Sequence, residues 1–256
     1  MDTSSSVTQE ILDSSQYSVS SIQHYEVVYG EDFVSPGGKQ MAVELIQKMD
    51  LKPEAHVLDV GCGLGGSAFV MAREFNLVVD GIDLSKNMLE LANKKLNNYG
   101  LADRVKLEHG DCLELDRTEY YDAVYSRDVF LHIENKAQLF SVLKRSLRPD
   151  GRLLFTDYCC GPKPWCDDFN KYVKDRGYCL HTLPEYADLV SEARFEKVEH
   201  VDMTPRFIQI LKSDLEKIAD LPLEETVRCN LEKSWRGKLA RVESGDHRWG
   251  MLSAVN

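Results

Sequence analysis

The chain has 256 residues, of which 43% are hydrophobic, so it can bury one sizeable core. Lysine and arginine number 31 against 42 aspartates and glutamates, and the net charge of −11 argues against general affinity for nucleic acid or anionic membranes. No apolar stretch approaches the roughly 18 residues of a membrane span, and the first residues are polar and acidic rather than basic and then apolar. We therefore expect no secretion and no membrane insertion. We expect a cytoplasmic monomer that binds a small molecule.

Strands and helices alternate along the predicted chain. The periodicity predicts helices at 18–30 and 39–49, and then strand 56–60, helix 65–75, strand 77–83, helix 85–100, strands 104–111 and 121–126, helix 135–149 and strand 151–158. Alternation at this spacing predicts an α/β fold with a parallel sheet. Residues 161–194 begin with Pro162 and Pro164 and contain two short helical stretches, which indicates a cap over one edge. Final strands follow at 195–203 and 247–256.

A glycine-rich loop follows the first predicted strand. Gly61, Gly63 and Gly66 match the G-x-G-x-x-G pattern, in which the backbone approaches a nucleotide at a helix N-terminus, so a nicotinamide dinucleotide is one candidate. Asp83 ends the second strand and can accept both ribose hydroxyls of either a dinucleotide or S-adenosylmethionine (SAM). The loop therefore predicts a nucleoside cofactor without choosing between the two.

Two further aspartates favour SAM. Asp59, two residues before the first glycine, suits a cationic amino group better than a diphosphate, and Asp111 after the third strand can accept the adenine amino group. With Asp83, they place three carboxylates at successive strand ends, where open α/β sheets bind ligands. The alternative is that each aspartate only caps the helix that follows it.

Seven cysteines are scattered without a C-x-x-C pair, and four of them lie with His181 within residues 159–181. Their irregular spacing implies neither a disulfide framework nor a standard zinc site. We expect reduced thiols and no metal. The cysteines are Cys62, Cys112, Cys159, Cys160, Cys166, Cys179 and Cys229.

Several segments form a more specific combination with the glycine loop. They are Gln16-Tyr17, Tyr25-Glu26, Val34 to Gly38, Gly81 to Ser85, Tyr125 to Asp128, Leu131-His132, Thr156 to Cys159, Tyr172 to Tyr178 and Arg248-Trp249-Gly250. Over nearly its whole length the chain resembles the phosphoethanolamine N-methyltransferase family, in particular the second plant domain, the nematode enzymes and the single-domain parasite form. It departs from many relatives at Pro36 and Val129-Phe130, and Phe130 is expected beside an amine pocket.

The resemblance implies a Rossmann-like SAM-dependent methyltransferase fold with a mostly parallel seven-stranded sheet. We expect one domain, residues 1–256. Its parts would be N-terminal lid helices at 1–50, a cofactor-binding core at 51–158, a substrate cap at 159–194, and C-terminal strands and helices at 195–256.

The implied reaction moves methyl groups from SAM to phosphoethanolamine or its mono- and dimethyl derivatives, giving phosphocholine. His132, just past the fourth strand, would be the base with a pKa near 6.5. The resemblance pairs it with Tyr17, and Asp128 would neutralise the ammonium.

The resemblance also implies the remaining binding residues. The phosphate end of the substrate would meet Tyr158, Tyr172, Arg176, Tyr178 and Lys238, with Gln16 as a further substrate contact. An arginine fork with tyrosine hydroxyls suits a dianion. The cofactor would meet Tyr25, Ser35, Asp59, Gly61, Gly63, Asp83, Leu84, Asp111, Cys112 and Arg127.

Three alternatives remain open from the residues. A dehydrogenase would need a second half to hold the nicotinamide, and no such unit follows Asp111. A non-catalytic binding module could keep the scaffold without the reaction. A sterol or quinone methyltransferase would want an apolar pocket where this sequence offers Arg176, Lys238 and several tyrosines.

Overall fold

The computed structural model of the protein describes residues 13, 14 and 17–256. Over these residues the strands form a seven-stranded sheet in the order β3-β2-β1-β4-β5-β7-β6. The strands β1 to β5 are parallel, and β7 runs antiparallel between β5 and β6. They are β1 (His56–Val60), β2 (Val78–Asp83), β3 (Val105–His109), β4 (Tyr121–Arg127), β5 (Leu147–Cys160), β6 (Glu196–Asp202) and β7 (His247–Val255). The predicted mostly parallel α/β sheet is confirmed.

Helices cover both faces of the sheet. They are α1 (Val19–Tyr29), α2 (Gly38–Lys48), α3 (Gly66–Glu74), α4 (Lys86–Tyr99), α5 (Lys136–Ser146), α6 (Asp167–Arg176), α7 (Leu183–Glu192), α8 (Thr204–Asp220) and α9 (Glu225–Glu243). Alternate residues of a strand point to opposite faces. Leu154 accordingly joins a cluster with Phe207 and Trp235, while its neighbour Phe155 packs with Phe140 and Tyr186. None of the described helices combines the length and apolarity needed to cross a membrane.

Several predicted bounds are wrong, and the strand expected at 151–158 spans Leu147–Cys160. The helix expected through residue 149 ends at Ser146, because Leu147 pairs with Tyr121 in the sheet and proline at position 149 disfavours helix before it. The cap expected at 159–194 stays a prediction. The first two residues of this segment belong to β5. The helix α7 packs its apolar face against the sheet and buries Tyr186 in the core.

Candidate active site

A cavity of about 350 Å³ opens at the carboxyl ends of the parallel strands. Its walls come from the loops after β1, β2, β3 and β4, from α1 and α9, and from the segment around α6. The carboxyl ends of parallel strands meet at one edge of a sheet, so short loops from distant parts of the chain converge there.

The glycine loop lies against one wall of this cavity. Gly61 has a φ of 70°, and a Cβ atom there would lie 2.2 Å from Val129 Cγ2, so the close approach requires glycine. Asp83 anchors the loop, because its Oδ2 accepts from the Gly63 N–H at 2.8 Å and its Oδ1 accepts from the Ser85 N–H at 2.8 Å. Each oxygen keeps a lone pair for a ligand hydroxyl.

Most of the remaining cofactor-site residues also line the cavity, namely Tyr25, Ser35, Leu84, Asp111 and Cys112. The Oδ1 atom of Asp111 accepts from the Leu113 N–H at 2.8 Å, and burial raises the pKa of the Cys112 thiol to about 12. The thiol is therefore protonated and chemically quiet at neutral pH.

Asp59 is the predicted cofactor residue that does not line the cavity. It is 2% exposed, and its Oδ2 has no hydrogen-bond partner among the described residues. Burial and the neighbouring Asp83 raise its pKa to about 7. A buried carboxyl oxygen usually has a hydrogen-bond donor as its partner. The predicted contact between Asp59 and an amino group stays a prediction.

Arg127, expected at the cleft floor, lines the cavity and also holds the turn at 34–38 in place. Its guanidinium donates to the Pro36 carbonyl at 2.6 Å and to the Gly38 carbonyl at 3.1 Å, although these residues lie about ninety positions earlier in the chain. Two of its nitrogens are thus committed to the backbone. The residue fixes the cavity wall that carries Ser35.

Asp128 projects into the cavity from a left-handed backbone conformation with a φ of 57°. Its Oδ1 accepts from the Trp249 indole at 2.7 Å and from the Thr156 hydroxyl at 3.2 Å. The Oδ2 atom is buried and has no partner among the described residues. Burial raises the pKa of Asp128, so a cation in the cavity would stabilise its charged form.

His132 and Tyr17 meet across the cavity as the resemblance implies. The Tyr17 hydroxyl lies 3.4 Å from His132 Nε2, within hydrogen-bond distance, while Nδ1 has no partner among the described residues. The pKa of His132 is lower than the predicted 6.5, because burial and the charges of Arg176 and Lys136 lower it to about 4. Gln16, the other residue predicted on this segment, lies outside the described residues.

Cations and phenol rings also line the cavity, and the Tyr178 ring lies 5.2 Å from the His132 ring between centroids. The predicted phosphate residues Tyr158, Tyr172, Arg176, Tyr178 and Lys238 all line the cavity. The Lys238 ammonium donates to the Tyr158 hydroxyl at 3.3 Å, and burial together with Arg176 lowers its pKa to about 8. This cluster of cations and tyrosine hydroxyls can therefore bind a dianion.

Sequence reasoning misplaced one residue and missed others. Phe130 packs in the core, 4.8 Å between ring centroids from Phe155, and it is Val129 that lines the cavity, because the short helix after β4 turns Phe130 inward. Trp249 was noted only as part of a motif, and its bond to Asp128 needs the folded sheet. Arg241, whose guanidinium lies 4.0 Å from the Tyr172 ring centre, was missed because it is one of many charges on a long helix.

The fold and the site together define a class. Residues 51–213 match the family model described as "Methyltransferase domain", so the fold is that of a methyltransferase. The described residues hold no group of three His, Cys, Asp or Glu side chains that could bind a metal ion.

Curated relatives define the family more narrowly. Phosphoethanolamine N-methyltransferase 3 of Arabidopsis thaliana is 41% identical, over 96% of this chain and 51% of its own length. The phosphoethanolamine N-methyltransferase of Plasmodium falciparum is 31% identical, over 95% of this chain and 94% of its own. A solved structure of phosphoethanolamine N-methyltransferase 2 of Haemonchus contortus, in complex with phosphomonomethylethanolamine and S-adenosylhomocysteine, superposes with a TM-score of 0.94 at 32% identity, covering 98% of this chain and 60% of that one.

The chain belongs to the phosphoethanolamine N-methyltransferase family, and the resemblance seen in the sequence is confirmed. It spans about half the length of the plant relatives that it matches. In the parasite relative, by contrast, the match covers nearly the whole protein.

Proposed function

We propose that the chain transfers methyl groups from SAM to the amine of phosphoethanolamine, its monomethyl or its dimethyl derivative, and so forms phosphocholine. The observation that carries the proposal is a single cavity lined by a carboxylate, Asp128, by a histidine, His132, and by a cation-rich cluster of tyrosines. A small zwitterion with an amine and a phosphate has the complementary charges. A sterol or quinone does not.

The cavity fits SAM as the cofactor. Asp83 keeps one lone pair on each oxygen for the two ribose hydroxyls, and Asp111 can accept from the adenine amino group. Bound SAM supplies an electrophilic methyl group on its sulfonium. A side chain at Gly61 would clash with Val129, so glycine is needed for the loop backbone to take its place in the cavity wall.

The substrate amine must lose a proton before it can act as a nucleophile. A primary amine titrates near 10, so at pH 7 only about one molecule in a thousand is neutral, a handicap of roughly 4 kcal/mol. Asp128 Oδ2 accepts a hydrogen bond from the ammonium and orients it, and His132 Nε2 takes the proton, directly or through the Tyr17 hydroxyl. Burial raises the pKa of Tyr17, so its hydroxyl remains protonated and can donate to the imidazole.

Binding of the substrate phosphate changes the pKa of His132. Burial is the main cause of the low pKa of His132 in the free protein, and the positive charge of Arg176 lowers it further. A phosphate dianion held by Arg176 and Lys238 opposes that charge, so substrate binding raises the pKa of His132. A stronger base is thereby produced in the complex that needs it.

A radiolabelled methyl-transfer assay tests the proposal, with phosphoethanolamine and its mono- and dimethyl derivatives as parallel substrates. We expect transfer to at least one of the three and none to phosphocholine, whose quaternary nitrogen has no lone pair. Ethanolamine, which lacks the phosphate, is the matched control and should react poorly. Failure with all three phosphobases in a protein that binds SAM by calorimetry would refute the proposal, and turnover of a sterol or quinone would support the alternative.

We further propose that the protein acts as a cytoplasmic monomer. Its acidic charge and free thiols favour this assignment. Sedimentation at micromolar concentration, together with fractionation of cells that make the protein, tests both parts.

A further inference from the structure

Lys136 occupies a position that lysine normally avoids. It is 3% exposed, and it is the first residue of α5, whose N-terminus carries the positive end of the helix dipole. Burial of an ammonium group is costly, and lysine is almost never buried without partners. Burial and the positive end of the helix dipole therefore both disfavour the charged form of Lys136.

The contacts of Lys136 join two segments of the candidate active site. Its ammonium donates to the carbonyl of Ile133, the residue after His132, and to the carbonyl of Cys179, at 3.2 Å, the residue after Tyr178. The same two segments are linked by the Cys179 N–H, which donates to the Leu131 carbonyl at 2.7 Å. The rings of His132 and Tyr178 lie 5.2 Å apart between centroids, directly beside this crosslink.

The electrostatic surroundings are compatible with a charged Lys136. Asp157 of β5 is buried, accepts from the Tyr186 hydroxyl at 2.5 Å, and opposes the loss of the lysine charge. The Tyr186 ring of α7 lies 5.6 Å from the ammonium, and the thiols of Cys159 and Cys179 also face it. Burial is the dominant influence and lowers the pKa of Lys136.

We propose that Lys136 is a positioning residue that holds the base His132 and the phosphate ligand Tyr178 at a fixed separation. The inference rests on the proposed function, since it takes His132 as the base. Lys136 does not touch the substrate in this scheme. It acts through the two carbonyls that it joins and through its charge, which faces His132 together with Arg176 of α6, Tyr178 and the hydroxyl of Tyr17.

The test compares Lys136→Met with Lys144→Met. Methionine keeps most of the length of lysine and removes the ammonium. Lys144 lies two turns further along α5, where it donates to Asn256 Oδ1 at 2.7 Å and contacts neither segment, so it is a matched control. Histidine titration is followed by NMR in the protein without ligands, with the His132 signals assigned by their loss in His132→Gln.

We expect the titration midpoint of His132 to rise above about 4 in Lys136→Met, although burial and Arg176 still hold it below 6.5, and to stay in place in Lys144→Met. The kcat should fall roughly tenfold to a hundredfold in Lys136→Met, because small displacements of reacting groups are costly, while SAM affinity is retained. If Lys136→Met does not fold, the double variant Lys136→Met/Asp157→Asn removes the uncompensated carboxylate and is measured in the same way.

The outcomes separate this inference from the proposed function. An unchanged His132 midpoint together with an unchanged kcat would overturn the role of Lys136, whatever the substrate is. Absence of methyl transfer by the unsubstituted protein would refute the proposed function alone, since the NMR comparison requires no turnover. A loss of stability without a shift of the His132 midpoint would make Lys136 merely structural and would also overturn the inference.

Discussion

Replacing Trp249 by phenylalanine removes one N–H group and keeps most of a fully buried aromatic side chain. That N–H donates to Asp128 Oδ1 at 2.7 Å, and Thr156 is then the only described side chain that donates to the carboxylate. A hydrogen bond to a charged group is worth about 1.5–3 kcal/mol. Because Asp128 must be ionised to hold the substrate ammonium, we expect substrate affinity to fall by about 10- to 150-fold.

Calorimetric titration with phosphoethanolamine in the presence of S-adenosylhomocysteine measures this effect directly. Trp165→Phe is the matched control, because it also removes an indole N–H, which donates at 2.9 Å to the Gly161 carbonyl, and Trp165 does not line the cavity. The affinity for S-adenosylhomocysteine should stay nearly the same in both variants. A folded Trp249→Phe protein that binds phosphoethanolamine within twofold of the unsubstituted protein would contradict the role assigned to Asp128.

Four other predictions concern the same cavity. Asp83→Asn should weaken SAM binding about tenfold or more, since it weakens bonds to a charged acceptor, and calorimetry showing unchanged affinity would contradict the ribose assignment. Arg176→Ala and Lys238→Ala should each raise the KM for the phosphobase tenfold or more with SAM affinity nearly intact, and normal kinetics in both would move the phosphate site elsewhere. His132→Ala should lower turnover by about 10² to 10⁴, and the loss should shrink as the pH approaches the amine pKa near 10. Tyr17→Phe should cause a milder loss of the same kind. A pH-independent defect would contradict the role as base and would mean that the histidine only holds the N-terminal segment in place. The folded-state pKa of His132, about 4, lies below its unfolded value near 6.5. Its contribution to stability is therefore present above pH 6.5 and is lost as the pH falls towards 4. Denaturant midpoints at pH 7.5 and pH 5 should differ less in His132→Gln than in the unsubstituted protein.

Local pattern was sufficient for the order of elements and for much of the cofactor side. The strand β1 was predicted with its observed bounds, because a short run rich in valine and leucine before a glycine turn is a local signal. Asp83 and Asp111 could be assigned to the cavity edge for a related reason. Parallel strands bring their carboxyl ends together, so the position of an acid in the chain already determines its place on the sheet.

Long-range contacts decided the rest. Trp249 and Asp128 are 121 residues apart, and only the pairing of β5 with β7 brings the indole to the carboxylate. The weak basicity of His132 arises from burial beside Arg176 and Lys136, and no spacing rule reports how much water a side chain loses on folding. Sequence therefore determined which chemical groups meet at the strand ends, and tertiary structure determined their protonation and their partners, because both depend on desolvation and on neighbours that are distant in the chain.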